Sequence, residues 1–354
     1  MKNLLFLSKG MPNALKSAGD IRSLRMLQIL RQQYEIDVVA NSADYGINDV
    51  KSNGCAAHLT GNFQNTISEI LATKTIDLVI ISHWRIAQNL IDFIRTKTNV
   101  PIVIDTIDVE FLRLERECVY KGNLNEMKQN IENVRSSELD VYKKANYLIA
   151  TTEIDKQELL KYNSQYKISI LPCIYEINNG QANLNTNNAY TICNWLHEPN
   201  ITATVYLCEK IIPNVGVNFY IVGKHPPESI KRFHEHNRIN VCGAEYKIKE
   251  FLSRVSICLA PILYGAGMNG KIGESLAFGI PVITTQLGAI PWGLVHNETA
   301  LICESDQSFV DSVNKLLTNE SLRNDLSVNG KKLMQQFSID FWKTKFLDIT
   351  TQFI

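Results

Sequence analysis

The residues best suited to chemistry lie in one stretch, Ala260-Pro-Ile-Leu-Tyr-Gly-Ala-Gly-Met-Asn-Gly-Lys-Ile-Gly-Glu-Ser-Leu-Ala-Phe-Gly-Ile-Pro-Val-Ile-Thr-Thr. Glycines at 265, 267 and 270 let the backbone approach a ligand closely. A helix that opens at Gly270 aims free N–H groups and a positive dipole end at the same place, a ready site for phosphate. Lys271 and Glu274 are three apart and share one face of the first helical turns. The lysine can neutralise a diphosphate, and the carboxylate can accept hydrogen bonds from ribose hydroxyls. A solvated lysine and a glutamate that only complements the helix dipole fit the same spacing.

Two familiar phosphate patterns fit in part. Gly265-Ala-Gly-Met-Asn-Gly270 reads G-x-G-x-x-G, but the dinucleotide pattern wants an acidic residue about 20 positions on, and Thr284-Thr285-Gln286-Leu287-Gly288 holds none. Gly265 to Lys271 reads G-x-x-x-x-G-K, yet Ile272 stands where a nucleoside-triphosphatase loop needs a hydroxyl for magnesium.

Further candidates lie in the first half of the chain. Asp105 and Asp108 sit three apart at the end of an apolar run, where sites gather in parallel sheets. They can serve an acceptor hydroxyl, or cap a loop and form a turn. His83-Trp84 follows the run at 78–82 and either lines a cleft or packs an edge. Gly19-Asp20 opens a helix, so backbone amides there can meet a phosphate or an acceptor while Asp20 caps the helix. No D-x-D occurs, and His234-Glu-His236 lacks metal-ligand spacing, so no metal site is expected. No Ser-His-Asp or Cys-His set stands out by spacing.

These candidates need rigid elements to position them. Short apolar runs at 4–8, 36–40, 78–82, 102–105, 147–151 and 168–171 read as strands. Stretches with helical spacing, such as Ile21, Leu24, Leu27 and Leu30, separate them. The pattern restarts with runs at 190–193, 218–222, 240–242, 255–259 and 281–284. Buried strands alternating with helices argue parallel sheets covered on both faces. Between the halves, 176–189 is Asn-rich and nearly free of apolar residues, the best domain boundary. The expected division is an N-terminal Rossmann-like domain at 1–175, a linker at 176–189, a second Rossmann-like domain at 190–337, and a C-terminal helix at 338–354 packing back on the first. Phe341, Trp342, Phe346 and Phe353 should be buried in that packing, with a membrane-surface helix as the alternative.

The bulk numbers exclude several classes. With 354 residues, 45% hydrophobic and 20% charged, the chain suits a two-domain globular protein. Lys+Arg and Asp+Glu are equal at 36 each, so nothing attracts nucleic acid globally. Eight scattered cysteines without a C-x-x-C pair read as reduced core thiols in a cytoplasmic protein. Neither a signal-peptide core nor a membrane-spanning run is evident.

The stretch from Val255 to Thr285 resembles the donor-site segment of retaining GT-B glycosyltransferases of the family-four kind. It is similar to the subgroup whose loop reads G-A-G-x-x-x-K-I-x-E-x-L-A-x-G-x-P-V-I/V-T-T. His197-Glu-Pro-Asn200 resembles the H-x-P-N turn of that family. Ile221-Val-Gly223 with Pro226-Pro227, and Val241-Cys-Gly243 with Phe251-Leu252, resemble two further blocks. Asp105-Thr-Ile-Asp-Val-Glu-Phe-Leu-Arg113 with Arg116-Glu117 resembles a first-domain stretch.

The resemblance implies an α/β GT-B fold of two Rossmann-like domains facing across a cleft, lined by 105–113 on one side and 265–274 on the other. It implies transfer from a nucleotide-sugar donor to a glycan, lipid-linked or protein acceptor. The reaction would retain configuration, use no metal or cofactor, and belong to surface polysaccharide or glycoconjugate synthesis. On this reading Glu274 holds the ribose, while Lys271 and the amides of Gly265, Ala266, Gly267, Met268, Asn269 and Gly270 face the diphosphate. Gly223, Gly243, His197 and Gly19 complete the donor site, and Lys271, Asp108 and Asp105 are the catalytic candidates. Two departures stand out. Ala266 occupies a position where many members carry a second glutamate, and Cys193–Asn200 offers no basic residue except His197. They keep a non-catalytic binding subunit open as an alternative, beside a sugar-nucleotide epimerase of the same fold. The expected location is cytoplasmic, with peripheral association at the inner membrane face as a variant.

Overall fold

A computed structural model describes residues 1–14, 17–42, 46–177, 182–236, 238–245 and 247–353. The chain forms two compact units: residues 1–174, 266–268 and 339–354, and residues 175–265 and 269–338. Residues 178–181 of the expected linker lie outside the described residues.

Unit 1 is built on seven strands: β1 (Lys2–Gly10), β2 (Tyr34–Ser42), β3 (Ala56–Leu59), β4 (Leu78–Ser82), β5 (Ile102–Asp105), β6 (Tyr147–Ala150) and β7 (Ile168–Ile170). They pair in parallel in the order β3-β2-β1-β4-β5-β6-β7. Period-two alternation divides the sheet between two cores. Leu5, Leu7, Val79, Ile81, Ile102 and Ile104 enter one; Leu4, Phe6, Leu78, Ile80, Val103 and Ile149 enter the other. The second core also takes up Phe346 and Phe353 of the terminal segment, with Trp342 packed against it. Phe341 corrects the expectation of four buried aromatics: it is 42% exposed on the outer face of helix Ile339–Thr351.

Unit 2 carries six parallel strands: β8 (Asn188–Ile192), β9 (Asn218–Val222), β10 (Ile239–Gly243), β11 (Ile257–Ala260), β12 (Val282–Thr285) and β13 (Leu301–Cys303), in the order β10-β9-β8-β11-β12-β13. The helix after β8 spans Glu198–Tyr206. It passes into a π turn at Leu207–Ile211 and a 3-10 turn at Ile212–Asn214, where Pro213 ends regular bonding. All eight cysteines are free, seven of them buried and Cys242 exposed. Among the described residues no helix is long and apolar enough to cross a membrane.

Strand order reverses between β1 and β4 in unit 1, and between β8 and β11 in unit 2. In open parallel sheets such reversals leave a crevice at the carboxyl ends of the strands, where ligands bind. The candidate residues therefore sort onto two places, one in each unit.

Candidate functional sites

In unit 2, β8 runs into residues 193–197 and β11 into the glycine loop, so both loops leave the switch point. Helix Gly270–Phe278 starts there, with Asn269 preceding it in an extended conformation and making no side-chain cap. Gly265 and Gly267 hold φ values of +151° and +68°, which β-carbon-bearing residues rarely adopt. Gly223 directly follows β9, Gly243 ends β10, and His197 immediately precedes helix Glu198–Tyr206.

Lys271 is no solvated lysine. Its residue is 8% exposed, and its ammonium donates to Thr191 Oγ1 at 3.3 Å, Asn200 Oδ1 at 3.2 Å and Cys193 Sγ at 3.6 Å. Asn200 is in turn fixed by its amide, which donates to the Asn194 carbonyl at 2.9 Å. The H-x-P-N turn thus supplies a ligand for the lysine from 71 residues away. All three partners are neutral, and among the described residues no carboxylate pairs with this cation. A buried charge left uncompensated is costly, so the site is electrostatically complete only with an anion.

Glu274 is the converse. It is half-buried, and burial alone pushes its carboxyl up to about 7. No hydrogen bond or ion pair to it forms among the described residues. One helical turn thus presents a cation without an anion and a carboxylate without a donor.

The helix carrying both is held from behind. Tyr175 donates its hydroxyl to the Gly270 carbonyl at 3.1 Å. Trp292 packs between Tyr175 and Phe337, with ring centroids 5.9 and 5.0 Å away. A β-carbon on Gly273 would stand 2.3–2.9 Å from the Trp292 ring. Gly273→Ala must therefore displace a fully buried indole or the helix itself. Overpacking of this kind costs about 1–3 kcal/mol, and urea unfolding is expected to show that loss. Wild-type stability would contradict the packing.

In unit 1 the expected acceptor residues gather at the carboxyl ends of β4, β5 and β6, but not as equals. Asp105 is 0% exposed, and its Oδ2 accepts from Arg22 Nη1 at 2.6 Å. Arg22, itself buried, also donates to the Leu171 carbonyl through Nε and Nη2 at 3.0 and 2.8 Å. This corrects Asp105 as a catalytic candidate: it is a buried structural anion beyond reach of an acceptor. Asp108 stays accessible, its side chain 19% exposed, with Arg113 Nε donating to Oδ2 at 3.0 Å. His83 Nε2 faces Asp108 Oδ1 at 3.9 Å, too far for a direct hydrogen bond. Gly19, in the first turn of helix Ala18–Leu30, comes close to Ile107 on the same loop. The tip residues Ala266–Met268 also belong to this unit. A β-carbon on Gly267 would lie 3.2 Å from the Ile107 carbonyl and 3.4 Å from Asp108 Cβ, and Met268 Sδ accepts from the Cys173 N–H at 3.4 Å.

Backbone strain marks the same spot. His83 and Ile107 have φ values of +77° and +61°, and the Asp108 N–H donates to the Thr106 carbonyl at 2.7 Å across Ile107. Such conformations cost about 1–3 kcal/mol each and collect at functional sites. His83 Nδ1 accepts from the Arg85 N–H at 3.3 Å, which leaves the ring proton on Nε2. Burial holds the imidazole pKa below its ordinary value, against the pull of Asp108 and Glu110, so the ring is neutral near pH 7. Around this pair lies a network that joins Trp84 to Arg85, Glu110 and Glu138; the last three were not singled out by spacing, being residues of common type whose partners lie 25 to 28 positions away. Among the described residues no cluster of three or more His, Cys, Asp or Glu side chains is arranged to hold a metal ion.

Comparison with known proteins places this geometry. Residues 188–319 match the family described as Glycosyl transferases group 1. N-acetyl-alpha-D-glucosaminyl L-malate synthase of Bacillus anthracis is 23% identical over 154 residues, 41% of this chain and 40% of that protein's length. Among solved structures, sucrose-phosphate synthase of Thermosynechococcus elongatus superposes with a TM-score of 0.77 at 13% identity, covering 99% of both chains. Anabaena Alr3699/HepE in complex with UDP-glucose superposes with a TM-score of 0.74 at 12% identity, covering 99% of this chain and 100% of that one. At such identities the structures speak to the fold: two parallel-sheet, Rossmann-like domains of the GT-B class.

Proposed function

We propose that the chain is a glycosyltransferase. It takes a sugar from a nucleotide-diphosphate donor bound at the β8/β11 switch point and passes it to an acceptor hydroxyl at the β4–β6 site. The observation that carries this is the pair at the start of helix Gly270–Phe278: a buried, uncompensated ammonium and an unpartnered carboxylate one turn later. A diphosphate satisfies the first together with the helix N–H groups, and ribose hydroxyls satisfy the second. The family match over 188–319 supports the same assignment. Because the Anabaena structure holds UDP-glucose, UDP-sugars are the first donors to test.

In the reaction, negative charge concentrates on the departing diphosphate. Lys271 and the loop amides are fixed before it develops, which makes electrostatic stabilisation the main catalytic term. No side chain in the glycine loop is placed as a nucleophile, which suits departure and attack on one face with retention. On unit 1, a sugar hydroxyl fits between His83 Nε2–H, which donates to it, and Asp108 Oδ1, which accepts from it. The acceptor class is a glycan, a lipid-linked saccharide or a protein, in surface polysaccharide or glycoconjugate synthesis at the cytoplasmic face of a membrane. No resident metal or cofactor takes part.

The test is a thermal-shift screen of nucleotide sugars followed by nucleotide release with and without acceptor pools. A donor at 100 times its dissociation constant should add about 2.7 kcal/mol of stability. Acceptor-dependent release is expected, undiminished by EDTA because the chain lacks D-x-D. Loss in chelator with rescue by manganese would overturn the metal-free assignment. Binding without turnover in any pool would mark a non-catalytic binding subunit, and release without acceptor an epimerase.

A further inference from the structure

We infer that Glu110 is a positioning residue whose carboxylate clamps the two residues following His83, and so holds the imidazole opposite Asp108. The inference rests on the acceptor-site reading above. Both Glu110 oxygens are engaged by that segment: Trp84 Nε1–H donates to Oε2 at 2.9 Å, Arg85 Nε to Oε2 at 2.9 Å and Arg85 Nη2 to Oε1 at 2.7 Å. The Arg85 guanidinium also stacks over the Trp84 ring at 4.5 Å. Trp84 is fully buried, so the segment is pinned at its indole and at its guanidinium directly after the strained residue.

The clamp closes into a ring. Arg113 holds Asp108 Oδ2 at 3.0 Å and approaches Glu110 Oε1 at 3.7 Å. Glu110 itself is fixed from below. Glu138, 0% exposed, accepts the N–H groups of Glu110 and Phe111 at 3.1 and 3.0 Å, and the Tyr142 hydroxyl at 2.7 Å. A residue in the left-handed region persists only where its surroundings over-determine it, and this ring supplies that determination. Burial raises the Glu110 carboxyl, but the Arg85 and Trp84 hydrogen bonds and the Arg113 charge outweigh it, so it is ionised. Three donors already occupy its oxygens and its pKa is held below the ordinary value, which makes it a weak base, and its effect passes through His83.

The test observes His83 directly in the full-length protein, by long-range proton–nitrogen NMR titration of the imidazole, with His83→Gln for assignment. Wild type should show one Nε2–H tautomer and a pKa below the ordinary histidine value. The charged groups facing the ring are Asp108 and Glu110, which favour its protonation, and Arg85 and Arg113, which oppose it. Removing a carboxylate by electrostatics alone therefore lowers the pKa further. Releasing the clamp does the reverse, because the ring gains water. In Glu110→Ala we expect mixed tautomers and a pKa that rises toward the ordinary value, with Glu110→Gln restoring much of the wild-type spectrum. Arg85→Met should reproduce the mixed tautomers, which are the readout that counts there because losing the Arg85 charge raises the pKa by itself, and it keeps the test open if Glu110→Ala fails to fold. A single tautomer with an unchanged or lower pKa in the variants overturns the inference. This readout needs no turnover, so its failure is distinct from failure of the transferase assignment. With activity in hand, Glu110→Ala should raise the acceptor KM and lower kcat together, with partial rescue by Gln.

Discussion

Replacing Lys271 by Met is expected to cut sugar transfer by about 100- to 1000-fold while leaving the fold at least as stable as the wild type. The rate loss follows from removing one preorganised donor aimed at developing charge, worth about 2.7–4 kcal/mol. The stability result follows from burial. Wild type holds the ammonium against three neutral acceptors with no anion among the described residues, so a Met of similar length removes an uncompensated charge and keeps the volume. Ala is the poorer probe, because it also opens a cavity beneath Thr191 and Asn200. Turnover should suffer more than donor affinity, since the diphosphate gains most of its charge as the glycosidic bond breaks. Steady-state kinetics beside urea denaturation decide the matter. Near-normal kcat, or a loss of activity matched by a loss of stability, would make Lys271 a structural cation and remove the main support for the donor site.

What was legible in the sequence divides along physical lines. The central strands declared themselves, because a parallel strand covered on both faces is a continuous apolar run: Leu78–Ser82 and Ile102–Asp105 are read with their observed ends. Two of the outer strands did not. Ala56–Leu59 is a half-exposed edge of two alanines, a histidine and a leucine, and Leu301–Cys303 has only three residues. The glycine loop was legible because glycine positions report backbone geometry directly, and Gly265 and Gly267 do adopt positive φ. Spacing put Lys271 and Glu274 on one helical face, but whether that face looks into protein or water depends on Asn200 and Thr191, distant in sequence. Asp105 fails for the same reason: its partner Arg22 lies 83 residues away, and no local pattern announces the pair. The strain at His83 is invisible to residue type, since nothing in Ser82-His83-Trp84 requires a left-handed histidine. Tertiary contacts decided each of these, and they turned one of two equivalent aspartates into an anchor and left the other open.

Glu274→Gln should make the protein more stable and a worse donor binder, a combination that structural residues do not produce. The wild-type carboxyl titrates at about 7 in the folded chain because burial penalises its charge, against about 4.3 unfolded. Between those values the folded state holds a proton that the unfolded state has released, so this group makes stability fall as pH rises and leaves the full penalty in place above about 7. Gln carries no such term. The stability difference between variant and wild type should therefore be small near pH 4.5, grow through the window, and reach about 1–2 kcal/mol at pH 8 after allowance for partial solvent access. Glu138 titrates in the same range, also pushed up to about 7 by burial, but it is present in both proteins and cancels from the difference. Donor binding moves the other way. Ribose hydroxyls donate to the ionised carboxylate, so wild-type affinity should strengthen as pH rises through about 7, whereas the variant should show no such rise from this site. At pH 8 the loss of charge-assisted bonds, about 1.5–3 kcal/mol, corresponds to roughly a 10- to 100-fold weaker donor. Calorimetric titration of a UDP-sugar at pH 6 and pH 8, beside thermal unfolding of both proteins, reads each effect separately. A variant that loses stability at pH 8, or keeps wild-type donor affinity there, would show that Glu274 is held by the protein and not kept for a ligand.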